Sequence, residues 1–276
     1  MHHIYGGASK SVSGIALAGL LAMTTAMADE TKPKPNLSKQ SQNPISSLIS
    51  VPFENNSDFN VGPGDDYGNV LNIKPVVPVS FFGTDWNLVN RAIFPIVYQD
   101  WSVDGDDGEW GTSNTTYQGF FTKKEAGKII WGVGPQIGIP TSSDRRFGPD
   151  KWSAGPTAVV LTMPGSWVIG GLVSQSWDLG GGREGDSDIS LFTFQYFINY
   201  NMKGGWYLST TPIISANWEA HSDDRWTVPI GGGVGRVFKV GNQPINAKIQ
   251  GFYNVVDSPT SGDWSIQAQW TFLFPK

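Results

Sequence analysis

From about Val51 to the C-terminal end, apolar and polar residues alternate one by one in short runs separated by turn residues. The last run is the cleanest. Trp264, Ile266, Ala268, Trp270, Phe272 and Phe274 alternate with Ser265, Gln267, Gln269, Thr271 and Leu273. Side chains of a β-strand point to opposite faces with a period of two, so this run predicts a strand with one apolar and one mostly polar face. The same pattern sets Phe192, Phe194, Tyr196, Ile198 and Tyr200 against Thr193, Gln195, Phe197, Asn199 and Asn201. It also sets Ile245, Ile249, Tyr253 and Val255 against Asn246, Lys248, Gln250 and Asn254. Trp86, Leu88, Ala92 and Phe94 oppose Asn87 and Arg91, and Ile129, Trp131 and Val133 oppose Gly132, Gly134 and Gln136. The runs at 152–163 and 225–240 are less regular, and Gly231-Gly232-Gly233 predicts a bulge that swaps faces.

The connections alternate in length. Short ones lie near Gly83-Thr84-Asp85, 123–127, Pro164-Gly165, Lys203-Gly204-Gly205 and Gly241-Asn242-Gln243. Longer, acidic and Gly-rich ones lie at 62–67, 99–115, 141–151, 179–188, 219–225 and 257–262. Six long connections imply about twelve strands, near 51–61, 67–81, 86–98, 116–122, 128–140, 152–163, 166–178, 188–201, 206–218, 225–240, 244–256 and 263–274. Short turns on one side and long loops on the other are the habit of outer-membrane barrels. Trp and Tyr recur at strand ends: Trp86, Tyr98, Trp101, Trp152, Trp167, Trp177, Tyr200, Trp206, Trp218, Trp226 and Trp264. Amphipathic rings sit well at headgroup level, so this spacing suits two aromatic girdles. A soluble sandwich or lipocalin-like barrel would bury the same apolar faces inside, and gives no reason for aromatics at both ends of successive strands.

The start of the chain reads differently. A weakly basic stretch with Lys10, an apolar run over 14–23 and Ala26-Met27-Ala28 predict a cleaved signal over 1–28. The run is shorter than the ~20 residues needed to cross ~30 Å of hydrocarbon. Residues 29–50 are rich in Pro, Lys, Ser and Gln and predict a flexible periplasmic N-terminal segment with one helical turn near 44–49; the barrel spans 51–276. No later apolar run is long enough for a membrane helix, so insertion in a bilayer requires a closed barrel. The expected fold is therefore all-β: a closed antiparallel transmembrane β-barrel in the cell outer membrane.

The chain has 276 residues, no cysteine, 34 Gly, 18 Pro, 12 Trp and 15 Phe, with 16% charged residues. These proportions favour strands over helices and an apolar surrounding over water. Subtracting Lys10 from the 19 basic residues leaves 18 against 24 acidic, a net charge of −6 with no footprint for nucleic acid.

Residues 43–54 (Asn-Pro-Ile-Ser-Ser-Leu-Ile-Ser-Val-Pro-Phe-Glu), 71–79, 86–95 and 131–135 resemble a bacterial family of transporter-like outer-membrane β-barrels linked by name to the MetA pathway of phenol degradation. The resemblance covers nearly all of the mature chain. It implies a barrel, a passive pore or transporter role for small solutes, and hydrophobic or aromatic compounds as cargo; it brings no catalytic set. The terminus departs from the habit of such barrels, which finish on an aromatic, because Pro275-Lys276 follow Phe274.

Inward positions on the polar faces predict the lumen lining: Lys74, Arg91, Gln136, Gln195, Asn199, Lys248, Gln250 and Asn254. Buried charges persist when paired or solvated, so these groups line either water or a salt-bridged plug. The mature chain has one histidine, His221, beside Ser222 and Asp223 in an outer loop, which lacks the lipid-facing His/Ser setting of outer-membrane phospholipases. Acidic groups cluster at 104–109 and 184–188, and the spacing at 104–109 does not follow an EF-hand loop. The reading is a protein without catalytic residues, metal or cofactor. Its partners are outer-membrane lipid, lipopolysaccharide, the barrel-assembly machinery and a small solute. A structural or surface-interaction barrel without transport is the alternative.

Overall fold

A computed structural model describes residues 36–101, 106–125, 127–182, 184–259 and 261–275; the expected signal over 1–28, the rest of the segment up to residue 35 and Asp104 lie outside them. Fifteen strands make one antiparallel sheet that closes on itself. They are β1 (Ile49–Val61), β2 (Asp66–Ile73), β3 (Val76–Ser80), β4 (Trp86–Trp101), β5 (Asp106–Thr112), β6 (Thr115–Lys123), β7 (Ile129–Ile139), β8 (Lys151–Thr162), β9 (Trp167–Gly181), β10 (Ser190–Asn201), β11 (Trp206–Thr210), β12 (Ile213–Asn217), β13 (Trp226–Val240), β14 (Gln243–Val256) and β15 (Trp264–Phe274). Closure is made by β1 against β15, from Ile49 opposite Phe274 to Phe59 opposite Trp264.

Three pairs of these strands are single staves with a gap, so the barrel has the twelve staves the alternation predicted. β2 and β3 part at Lys74-Pro75, β5 and β6 at Ser113-Asn114, and β11 and β12 at Thr211-Pro212. Proline has no N–H to give the ladder, which accounts for two of the gaps. At the first, Lys74 N still reaches Pro52 O at 2.9 Å and Ala92 N reaches Pro75 O at 3.1 Å, so the wall stays sealed. The bulge expected at Gly231–Gly233 falls instead at Val228/Pro229, again at a proline. The glycines serve close approach: a Cβ on Gly231 would meet Gly251 O at 2.0 Å, and one on Gly233 would meet Ile249 O at 2.0 Å.

Two connections are tighter than expected. The turn after β1 is a single 3-10 turn at Gly62–Gly64, with Asp65 left-handed. Most of the 99–115 loop is ladder, because β4 runs on to Trp101 and pairs with β5, with Tyr98 and Trp110 rings 5.1 Å apart.

The polarity is inverted relative to a soluble protein. Ile129, Val160, Leu208, Ile249 and Ile266 are exposed on the outer wall, while Glu54, Gln118, Thr157, Ser174, Asn199, Gln250 and Gln267 are buried inside. Rings gather at both ends of the wall. At the short-turn end, Trp167 lies 4.7 Å from Tyr200 and Trp86 lies 5.9 Å from Trp131. Lys123 and Arg236 stack over Trp86 and Trp206 at 4.1 and 5.0 Å, apolar stems along the wall and charges toward water. At the long-loop end, Trp218 lies 5.6 Å from Trp226, and Phe59 stacks on Trp264 at 4.1 Å.

Candidate functional site: the lumen and its constriction

Residues 36–48, expected as part of a loose lead, are packed on the inner wall. A one-turn helix, α1 (Leu37–Ser41), begins at Asn36, whose side chain accepts from Lys39 N at 3.3 Å. In place of the helical turn expected at 44–49 there is one tight turn at Pro44-Ile45, with Ser46 N reaching Asn43 O at 3.2 Å and Ile45 N reaching Asn43 Oδ1 at 3.0 Å. The segment is tied by Gln42 and Asn201, which exchange amide hydrogen bonds of 3.0 and 2.9 Å. Asn246 donates to Ser41 Oγ at 3.2 Å, and Lys39 Nζ donates to the Met163 and Gly165 carbonyls.

Ile45 anchors it. Its side chain joins Val89, Phe120, Ile130, Leu161, Val168 and Phe197 in an apolar cluster inside the barrel at the short-turn end. Ile45 Cδ1 fits over Gly132, where a Cβ would stand only 3.1 Å away. Burying one such side chain stabilises by roughly 1.5–3 kcal/mol. Gly132 thus marks where the lead packs inside, whereas a Cβ on Gly134 would meet Gly119 O of the neighbouring strand at 1.8 Å.

Above this floor the interior is polar and open. A vestibule of about 980 Å³ runs down from the long-loop end. A smaller cavity of about 140 Å³ lies below, between the wall and residues 40–48. Glu54, Lys74, Arg91, Gln195 and Thr211 line both, which defines a constriction between them. The strand gaps at Lys74-Pro75 and Thr211-Pro212 fall at this level.

The constriction is built in register. Glu54, Gln269 and Lys248 lie opposite one another on β1, β15 and β14. Lys74 Nζ and Glu54 Oε1 form a buried ion pair. Arg91 Nη1 donates to Gln118 Oε1 at 3.3 Å; Gln118 Nε2 donates to Gln136 Oε1 at 2.6 Å, and Gln136 Nε2 to Ser176 Oγ at 2.6 Å. Lys248 Nζ donates to Thr211 Oγ1 at 3.1 Å; that hydroxyl donates to Gln250 Oε1 at 2.7 Å, and Gln250 Nε2 reaches Ser209 O at 3.3 Å.

Of the sequence-derived lumen candidates, Lys74, Arg91, Gln195, Asn199 and Lys248 line the lower cavity, Gln136 and Asn254 line the vestibule, and Gln250 is buried in the wall network. Sequence reasoning passed over Glu54 and Asp58. The signal was present: Ser50, Pro52, Glu54, Asn56 and Asp58 form one continuous non-aromatic face of β1, opposite Val51, Phe53 and Phe59.

The outer loops are cross-tied. Arg146 bonds Asp144 at 3.0 Å and Glu109 at 2.5 Å, and these carboxylates push its pKa upward. Arg145 reaches Asp186 at 3.5 Å, and Lys151 bonds Asp178 and Asp188 at 3.0 and 2.5 Å. The described acidic loop residues Glu109, Asp186 and Asp188 are therefore ion-paired between loops. His221 lines the vestibule just before a 3-10 turn at Ser222–Asp224, and Ser222 Oγ donates to Asp223 at 3.2 Å.

A closed barrel with an apolar outer wall, two aromatic girdles and a polar interior is a transmembrane β-barrel of the outer-membrane type. It shares this fold with an outer-membrane channel from Pseudomonas putida F1: TM-score 0.64 and 13% identity over 82% of this chain and 95% of that one. Weaker likenesses are to the β domain of the Bordetella autotransporter BrkA, with TM-score 0.47 and 13% identity over 82% of this chain and 100% of that one, and to the monoaromatic hydrocarbon channel CymD, with TM-score 0.44 and 8% identity over 83% and 88%. No family model and no curated protein sequence matches the chain.

Proposed function

We propose that the protein is a passive outer-membrane channel for small solutes, entered from the long-loop side and narrowed at the Glu54–Lys74–Arg91 level. The observation that carries this reading is the interior path: a vestibule of about 980 Å³ meets a second cavity of about 140 Å³ through shared polar and charged side chains. A barrel that only needed stability would fill this space with well-packed side chains, as eight-stranded barrels do. Twelve staves leave room, and the residues facing it carry hydrogen-bonding groups suited to polar solutes. The resemblance of residues 43–54 extends the proposal to hydrophobic or aromatic compounds as cargo, and apolar vestibule residues such as Ile93 and Leu172 suit them.

The reading includes no reaction. Ser222 Oγ turns to Asp223 instead of to an imidazole, and His221 lines the vestibule. Lipid and lipopolysaccharide are the proposed surroundings of the outer wall, and the assembly machinery its partner in biogenesis. Reconstitution of the full mature chain in liposomes tests the function. The expected result is swelling in small neutral solutes above that of empty vesicles. A folded barrel impermeable to every small solute and silent in planar bilayers would overturn it and favour the surface-interaction reading.

A further inference from the structure

We propose that the constriction is a binding site for a small organic carboxylate, gripped between Arg91 and Lys248 with its apolar part in the vestibule. The inference rests on the channel reading and names its substrate class. Three cations, Lys74, Arg91 and Lys248, meet one acid, Glu54, at this level, and Glu54 feels the charge of all three. Its ion pair is made with Lys74. Arg91 and Lys248 are held by the neutral groups of Gln118 and Thr211, and among the described residues neither has a carboxylate within 4.0 Å. Asp58, the next acid on the inner face of β1, is four residues on, about 13 Å along the strand.

Two enclosed cations with neutral partners are costly to desolvate, and an anion placed between them offsets that cost. A guanidinium has five N–H donors and an ammonium three, and one of each is engaged, so spare donors remain for an anion. The amide chain from Gln118 through Gln136 to Ser176 fixes the Arg91 side, and the Thr211–Gln250 pair fixes the Lys248 side, so the donors are oriented before a ligand arrives. Ile93, Leu172, Leu191 and Ile213 line the vestibule above, which selects an anion carrying an apolar ring or chain over a bare inorganic one. The rim carries acids, Glu219 and Asp224, beside Arg225. There the vestibule is wide and salt screens them within about 8 Å, whereas charges at the enclosed constriction are screened much less.

Calorimetry on the full mature chain in detergent tests the site, with benzoate and its neutral analogue benzamide as probes. Benzoate is expected to bind saturably and benzamide at least about tenfold more weakly. Lys248→Gln and Arg91→Gln should each weaken benzoate about tenfold and benzamide much less, and sodium chloride should compete with benzoate. Equal affinity for the two probes in the wild-type barrel would overturn the site without any variant having to fold. Benzoate affinity unchanged in both folded variants would overturn it as well. Flux of neutral solutes is measured separately, so a barrel that conducts them yet ignores benzoate removes this inference and keeps the channel, while a sealed barrel that binds benzoate removes the channel and keeps the site.

Discussion

At the residue scale, the interior is governed by how each buried polar group is satisfied. The Glu54–Lys74 pair is the sharpest case, with side chains 8% and 10% exposed. Removing one partner of a buried pair strands the other charge. Lys74→Met is therefore expected to destabilise the barrel by about 3–5 kcal/mol, and the double change Glu54→Gln, Lys74→Met should recover most of that loss. Urea unfolding in phospholipid vesicles measures both; a single change costing under about 1 kcal/mol would show that water or the remaining cations Arg91 and Lys248, not Lys74, satisfy Glu54. His221 lines the vestibule, and the hydroxyl next to it in the chain, Ser222 Oγ, turns to Asp223. Replacing it with Ala should leave phospholipid turnover by the reconstituted protein at the level of empty vesicles, as for the wild type. Activity in the wild type that the substitution abolishes would make the protein an enzyme.

At the scale of elements, period-two alternation made the strands legible, because a bilayer outside and polar groups inside force opposite chemistry on successive residues. β15, β14 and β10 could be read directly, down to the facing of Lys248, Gln195 and Asn199. Even β8 and β13, the less regular runs, fall where the alternation put them. What could not be read is set by contacts distant in sequence. α1 exists because Asn36 caps it and the wall holds it, not because five residues favour a helix in isolation. Glu54 escaped notice because its meaning depends on Lys74 twenty residues away. The gap at Ser113-Asn114 carries no proline to announce it. The docking of residues 36–48 makes its own prediction. Gly132→Val should push against Ile45 Cδ1, and Ile45→Ala should empty its pocket at a cost of about 2–4 kcal/mol to the segment's attachment. Limited proteolysis should then cut within 36–48 while the barrel stays intact. Cleavage no faster than in the wild type would mean that the segment is held by its polar ties alone.

At the scale of the molecule, inverted polarity joins fold to function: the wall is solvated by lipid and the axis by water. Arg in place of Ile249, which is 54% exposed on the outer wall, should cost about 2–4 kcal/mol if it lies near the bilayer midplane. The most direct measurement uses the absence of native cysteine. Single cysteines at adjacent positions, Thr193 with Phe194 and Ser265 with Ile266, place one thiol on the vestibule wall and its neighbour on the outer wall. In liposomes, a water-soluble maleimide should label positions 193 and 265 and leave 194 and 266 unmodified. Labelling of 194 and 266 with 193 and 265 protected, or equal labelling of both members of each pair, would contradict the account.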